Sequence, residues 1–427
     1  MRRFTTDAPL LLINVSLGRL IQSPDGDLSM FDHLDLLPAD PILGLSQVFA
    51  KDNCTDKVNL SVGVYQDDNG NTPVLDIVRR AQQIMLDEQT SKAYIAQAGD
   101  AGFLSGMSEL VLGPIAALLA TDNRVATVQT PGGCGAVRIA SEVLNKCNPG
   151  GKVWISTPTW ANHQPLVTSA GLTIAEYPYY DRNTKTILFD DMMAALRQAS
   201  RGDVILLHAC CHNPTGADLS PSQWDSLADL CKENGLLPFI DFAYQGFGQG
   251  LQDDAYGVRK MAQKVEELVI AASCSKNFGL YRERVGAMIF IGSTGTATAA
   301  AKSHALSEAR RSYTMAPYHG AGIVGYILNN AELRTDWETE LANMRGRING
   351  MRKRLCIGLN QAQSSTDFSF IGNQWGMFSF LGITVEQVLE LRSKYGIYIL
   401  ESSRINVAGI SDSNIDYVVE KIAQTVS

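Results

Sequence analysis

From about residue 150 onward the chain alternates short apolar runs with amphipathic stretches of helical period, and this alternation limits the possible folds more than any other feature. The runs VWIS (153–156), VILLHA (204–209), LLPFID (236–241), ELVIAAS (267–273) and GAMIFIG (286–292) have the length and composition of strands. Between them lie helical patterns such as SQWDSLADLCKENG, in which Ser222 is expected to cap the start and Gly235 the end. Strands joined through helices build an α/β fold around a largely parallel sheet. Such a sheet binds ligands beyond the carboxyl ends of its strands, so the residues directly after each run are the candidates for function.

Those ends read TPTWANH, HACCHNPTG, DFAYQGF and SCSKNFGLYRERVG. They deliver Trp160, His163, Asn213, Asp241, Tyr244 and Lys276, with Arg284 eight residues further on. Singly, each has a bland reading: a tryptophan packs, an aspartate caps a helix, a lysine sits in solvent. A lysine, an aspartate and an arginine gathered at neighbouring strand ends do not read as surface decoration. Upstream, in TVQTPGGCGAVRIASEVL, glycines 132, 133 and 135 open an apparent helix whose free N–H groups can hold a phosphate. The segment is neither a P-loop nor G-x-G-x-x-G after a strand. A second glycine string, GFGQG (246–250), lacks a helix to open and reads as a turn.

Composition narrows the function classes. The 44 acidic and 36 basic side chains give a net charge of −8, a poor match for a phosphate backbone that would need a basic stripe, and no nucleic acid is expected as a partner. The eight cysteines form no C-x-x-C pair and no zinc spacing, so reduced thiols and a cytoplasmic location are expected. The longest apolar candidate, Leu10 to Val15, is about a third of the roughly 18 residues needed to cross a bilayer, and no membrane is expected as a partner. Residues 1–29 have a basic start and a short apolar run, but also Asp7, Asp25 and Asp27. They are expected to be a disordered extension, with Met30-Phe31 opening the folded chain.

A phosphate cup, a carboxylate, a phenol and a lysine together meet the needs of pyridoxal 5'-phosphate: the lysine forms a Schiff base and the acid pairs with the pyridine nitrogen. The segments HNPTG, SKNFGLYRERVG, TPGGCGA, DFAYQGFG and SRINVAG resemble the aspartate and aromatic amino-acid aminotransferases, which are fold-type I pyridoxal phosphate enzymes. The likeness runs from about Phe31 to the end. It implies a large cofactor domain over 73–343 with a mostly parallel sheet, and a smaller α+β domain from 40–72 and 344–427. Residues 30–39 would be an arm on a partner subunit.

The resemblance also implies roles. Lys276 matches the lysine that carries the cofactor and later moves the substrate proton. Asp241 matches the partner of the pyridine nitrogen, and Asn213 and Tyr244 the donors to the ring's phenolic oxygen. Trp160 matches the indole on the ring face. His163 and His208 resemble histidines that orient Asp241, with His212 nearby. The phosphate would fall to Gly133, Cys134, Ser273, Ser275 and Arg284, joined by Tyr94 from the neighbouring subunit of a homodimer. Arg404 resembles the clamp for the substrate α-carboxylate, and Arg310 of the partner chain the group that binds a distal carboxylate. Gly63 and Phe378 would close over the substrate.

The chain departs from that pattern where substrate and phosphate bind. Cys134 replaces a threonine or serine hydroxyl, and a thiol is a weaker donor. Met315 and Ala93 replace polar residues and favour an aromatic ring. Val64 and Thr72 follow the aspartate-preferring pattern, and Arg310 keeps dicarboxylates attractive. Ala316 precedes Pro317 where a Pro-Pro pair is more usual. The expected activity is ping-pong transfer of the amino group of aspartate, tyrosine or phenylalanine to 2-oxoglutarate. An aromatic-only aminotransferase, and a decarboxylase or lyase on the same fold, are the alternatives. A regulator with this domain would need a DNA-binding module, and none is legible before residue 40.

Overall fold

A computed structural model describes residues 30–37, 41–362 and 366–426 of the 427. The extension expected at 1–29, and residues 38 and 39 of the expected arm, lie outside the described residues. Met30–His33 forms an exposed turn of 3-10 helix.

At the centre is a seven-stranded sheet in the order Val125–Pro131, Val285–Ile291, Leu268–Ser273, Leu237–Phe242, Val204–His208, Lys152–Thr157 and Thr173–Pro178. Only Val285–Ile291 runs against its neighbours. All five expected strands are present. Two more, Val125–Pro131 and Thr173–Pro178, were not expected, because VATVQTP and TIAEYP mix threonine, glutamine and glutamate among their apolar residues.

The inner strands are apolar along their whole length because helices cover both faces of the sheet. The strand period of two splits them between two cores: Val269 and Ala271 join Val128, Leu206 and Met288 on one side, while Ile270 and Ala272 join Ile205, Ile240 and Ile289 on the other. The helix Gly132–Cys147 packs on the first face through Ala136, Val137, Ile139 and Ala140. The 31-residue helix Ala331–Gln361 joins the second core through Leu333, Trp337 and Leu341. There Trp337 stacks on Phe278 at 4.3 Å and donates to the Asn277 carbonyl at 2.8 Å.

Two short ladders complete the part of the chain near the sheet's carboxyl edge. Phe378–Phe380 pairs antiparallel with Arg404–Asn406, and Val58–Asn59 pairs parallel with Ile397–Tyr398. The string GFGQG is a turn, as its sequence suggests. Its amides do not face an external anion, since Gly246, Gly248 and Gln249 N–H all donate to the Asp254 carboxylate at 2.8–3.0 Å.

One cap differs from expectation. Ser220, not Ser222, begins the helix Pro221–Asn234: its hydroxyl accepts from Gln223 N–H at 3.3 Å while Gln223 Oε1 accepts from Ser220 N–H at 2.8 Å. Pro221, with its fixed φ and missing N–H, suits the first helical position and moves the cap two residues earlier. Gly235 ends the helix at φ +64° as expected. Replacing Ser220 with Ala should lower stability by about 1 kcal/mol, whereas Ser222→Ala should stay within roughly 0.5 kcal/mol; urea unfolding of both variants measures the difference.

Candidate active site

The sheet register sets the first part of the site. His208 and Asp241 are direct partners on adjacent parallel strands, and Asp241 faces Ala271 on the next. Lys276 follows three residues after that strand ends at Ser273. Because Val285–Ile291 is antiparallel, its first residue lies at the same edge, which brings Arg284 back to Ser273 and Ser275.

Here the chain forms a cavity of about 150 Å³ lined by Gly133, Cys134, Trp160, Asn213, Asp241, Ala243, Tyr244, Ser273, Ser275, Lys276, Tyr281 and Arg284. Ten of these twelve are residues that the sequence pointed to; Ala243 and Tyr281 are additions. Ala243 lies between two chemical residues and carries no signal of its own. Tyr281 is visible in SKNFGLYRERVG, but a phenol there also reads as packing.

One group of cavity residues could hold an anion. A Cβ on Gly132, which has φ +72°, would come within 2.5 Å of the Arg284 guanidinium. A Cβ on Gly133 would lie 3.2 Å from that of Ser273. The glycines therefore let the helix start approach closely, with first-turn N–H groups that have no acceptor inside the helix. Ser273 Oγ donates to Ser275 Oγ at 3.1 Å, and Arg284 Nη1 reaches Ser275 Oγ at 3.4 Å. Arg284 itself holds φ +53°, a conformation that costs a side-chain-bearing residue on the order of 1 kcal/mol. The Cys134 thiol accepts from Asn162 Nδ2 at 3.3 Å.

Asp241 forms the opposing chemical group. Burial works to raise its carboxyl, but the hydrogen bond from His163 Nε2 at 3.0 Å, with the nearby His163, His208 and Lys276, leaves it below the ordinary carboxylate range. Thr159 Oγ1 bridges His163 Nδ1 at 2.8 Å and His208 Nε2 at 3.0 Å. The hydrogen-bonded path from His208 to Asp241 thus runs through Thr159 and His163. Burial, then the charge of His163, pushes His208 down to about 3. His212 is sandwiched between His208 and Tyr179, each ring at 4.1 Å. Thr159 went unremarked in the sequence, although it sits in TPTWANH beside Trp160; that indole packs edge-on to His163 at 5.2 Å.

Lys276 lies between the two groups, its Nζ 5.0 Å from the centre of the Tyr244 ring. Burial lowers its pKa; Asp241 opposes this, and Arg284 and Arg404 reinforce it. A lowered ammonium leaves more free amine for attack on a carbonyl. Burial raises the Tyr244 phenol, so it remains a donor at neutral pH.

Arg404 is buried beside Asn213. Its Nη1 donates to Asn213 Oδ1 at 3.2 Å, its Nη2 to the Ser61 carbonyl at 2.8 Å, and its Nε has no partner among the described residues. The guanidinium lies 4.2 Å from the centre of the Phe378 ring. Phe378 Cζ would sit 2.7 Å from a Cβ on Gly63, so only glycine admits this approach. Gly63, Phe378 and Arg404 are therefore brought together as expected. Tyr94 and Arg310 are not: both are exposed and neither lines the cavity.

The Asp241–His163 pair has a defined pH signature. A depressed carboxyl contributes stability above its unfolded value, near 3.9, and loses that contribution as pH falls through its folded value. In His163→Phe, burial is left to act on the carboxyl with its main donor gone. The cofactor-free variant should be less stable by about 2–3 kcal/mol at neutral pH, with the gap narrowing as pH falls through the carboxylate range. Urea unfolding at a series of pH values checks both the size and the slope.

Comparison with known proteins places this geometry in a family. The profile described as "Aminotransferase class I and II" matches residues 55–422. Aspartate aminotransferase of Salmonella typhi is 46% identical over 393 residues, covering 92% of this chain and 99% of that protein. The aromatic-amino-acid aminotransferase of Pseudomonas aeruginosa is 42% identical over 397 residues, covering 93% of this chain and 99% of its own length. Among solved structures, the aromatic-amino-acid aminotransferase of Burkholderia pseudomallei, covalently bound to pyridoxal phosphate, superposes with a TM-score of 0.91 at 41% identity, covering 94% of this chain and all of that one. With its profile match and these full-length likenesses, the chain belongs to the class I and II aminotransferases.

Proposed function

We propose that this aminotransferase moves the amino group of aspartate and of aromatic amino acids such as tyrosine and phenylalanine to 2-oxoglutarate by a ping-pong mechanism, with pyridoxal 5'-phosphate as its cofactor. The observation that carries the reading is the convergence, on one cavity, of an anion cup, a lysine with a lowered pKa and a carboxylate kept ionised. That donor set fits the group. The phosphate would be held by Gly133 and Cys134 amides, Ser273, Ser275 and Arg284. The ring would lie between Trp160 and the strand ends, with its nitrogen on Asp241 and its phenolic oxygen on Asn213 and Tyr244.

When bound, pyridoxal phosphate supplies an electron sink that stabilises negative charge at the substrate α-carbon. The other tasks belong to the chain. Lys276 Nζ would anchor the cofactor and, as a free amine, would take the proton from the substrate α-carbon and pass it on to the cofactor. Asp241, ionised and oriented by His163, favours a proton on the ring nitrogen. Arg404 clamps the α-carboxylate; its unpartnered Nε is a donor that suits such an anion. Arg310 and Tyr94, exposed in one chain, would serve the neighbouring site of a homodimer. A large domain over 73–343 and a small one from 40–72 and 344–427 would close Gly63 and Phe378 over the substrate and exclude water.

Met315 and Ala93 favour aromatic side chains, while Arg310 favours dicarboxylates, and both substrate classes are expected to react. Among the described residues no single helix is long and apolar enough to cross a membrane. The eight cysteines are free thiols, which fits the cytoplasm.

The decisive assay mixes holoenzyme with 2-oxoglutarate and, in turn, aspartate, tyrosine and phenylalanine. Glutamate should form in step with the matching oxo acid; carbon dioxide or ammonia released without glutamate would mean a decarboxylase or lyase instead. Lys276→Ala should abolish steady-state turnover, and retained turnover removes the role given to Lys276. Cys134→Thr should bind pyridoxal phosphate about fivefold more tightly, roughly 1 kcal/mol, as measured by titrating the cofactor-free protein.

A further inference from the structure

The segment 211–218 carries Asn213 and is folded back on itself by a carboxylate with no part in the site described above. Asp218 Oδ2 accepts from the Cys211 N–H at 2.6 Å and Oδ1 from the His212 N–H at 2.8 Å. These are the two amides immediately before Asn213. Cys211 holds φ +51°, a left-handed conformation unfavourable for a residue with a side chain, so the converging amides need an acceptor to keep them so.

The rest of the segment is fixed by one bond within it and by contacts from outside. Gly216 N–H donates to the His212 carbonyl at 2.7 Å, and Trp375 N–H to the Gly216 carbonyl at 2.7 Å. Gly216, at φ +71°, passes so close to the Phe378 carbonyl that a Cβ would lie 2.3 Å from it. Asn213 is the residue between these two anchors. Its Oδ1 is committed to Arg404 Nη1, which leaves the amide NH2 as the group free to donate to a cofactor.

We propose that Asp218 is a positioning residue: by gripping the Cys211 and His212 amides, it aims the Asn213 side chain at Arg404 and at the cofactor. This inference rests on the role given to Asn213 under the proposed function. The charge that does the gripping is itself conditional. Burial pushes the Asp218 carboxyl up to about 7, the His212 and Cys211 amides pull it down, Asp254 pushes it up again and Arg352 opposes Asp254. The loop holds the charge on Asp218 as much as Asp218 holds the loop.

Asp218→Asn retains the side chain's volume but turns one acceptor oxygen into an NH2 that faces a backbone N–H. The parent, Asp218→Asn, Asn213→Ala and the double variant, all loaded with pyridoxal phosphate, are titrated across the neutral range while the cofactor's visible absorbance is followed. Asn213→Ala should raise the midpoint, because an oxygen that loses a donor keeps more negative charge beside the Lys276 nitrogen. Asp218→Asn should move it the same way by about one unit, and the double variant no further than Asn213→Ala alone. In a crystal structure of cofactor-free Asp218→Asn, Asn213 Oδ1 should have left hydrogen-bonding range of Arg404 Nη1.

Shifts that add in the double variant, or an unmoved midpoint in Asp218→Asn beside a shifted one in Asn213→Ala, overturn the proposal. An unmoved midpoint in Asn213→Ala refutes the role of Asn213 and the proposal with it. A parent that shows no pH-dependent cofactor band refutes the proposed function itself. Should Asp218→Asn not fold, Asp218→Glu, with both oxygens on a longer stem, is judged by the same criteria.

Discussion

A carboxylate at the end of a central strand, walled by apolar neighbours, ordinarily takes up a proton. Asp241 does not, because His163 Nε2 reaches it at 3.0 Å. That one bond constrains the groups behind it. An ionised carboxylate only accepts, so Nε2 must carry the hydrogen. For a neutral imidazole Nδ1 must then accept from Thr159 Oγ1–H, which leaves Thr159 Oγ1 to accept from His208 Nε2–H. The low pKa of His208 fits this chain of donors, since a buried neutral ring can supply a hydrogen without adding a charge. The hydrogen-bond partners behind Asp241 are thus in place before any ligand arrives.

The sheet supplies the same kind of determinacy in space. Register pairs His208 with Asp241, so the two lie side by side at the carboxyl edge. The reversed strand Val285–Ile291 begins where its neighbour Leu268–Ser273 ends, with Gly286 opposite Ser273. Reversal is what returns Arg284 to the edge that already holds Lys276 and Ser275. The next strand, Val125–Pro131, pairs antiparallel with the reversed one, so it again points toward this edge and delivers Gly132 and Gly133 there. Cation, amine and helix start meet because of strand direction.

Much of this was legible in the sequence, and what was not has identifiable causes. Apolar runs of strand length gave five strands to within a residue or two, because strands buried on both faces have no polar interruptions. Val125–Pro131 and Thr173–Pro178 escaped because they carry polar side chains, Gln129 and Glu176 among them. Strand direction is not written in a run's composition, so the antiparallel placement of GAMIFIG had no local signal. Site residues that act by chemical type, such as Lys276, Asp241, Asn213 and Arg404, stood out in their motifs. Those that act by holding others did not: Thr159 and Asp218 look like ordinary loop residues until their hydrogen bonds are seen. Tyr94 and Arg310 were assigned by likeness alone, and a single chain leaves both on its surface.

Arg404 shows why such a site assembles as a whole. Its two inward contacts come from Ser61 and Asn213, and its ring contact from Phe378, so one guanidinium ties together segments far apart in sequence. Removing it from water is costly, and two neutral acceptors and an aromatic face offset that cost only in part. The unpartnered Nε leaves a further penalty of about 1–3 kcal/mol. Burial lowers its pKa, yet its ordinary value is so high that it remains a cation. The folded chain therefore holds an undercompensated positive charge beside the Asn213 amide, and under the proposed function a substrate carboxylate would relieve it. On that reading, binding energy gained there would be available to orient the substrate α-carbon toward Lys276.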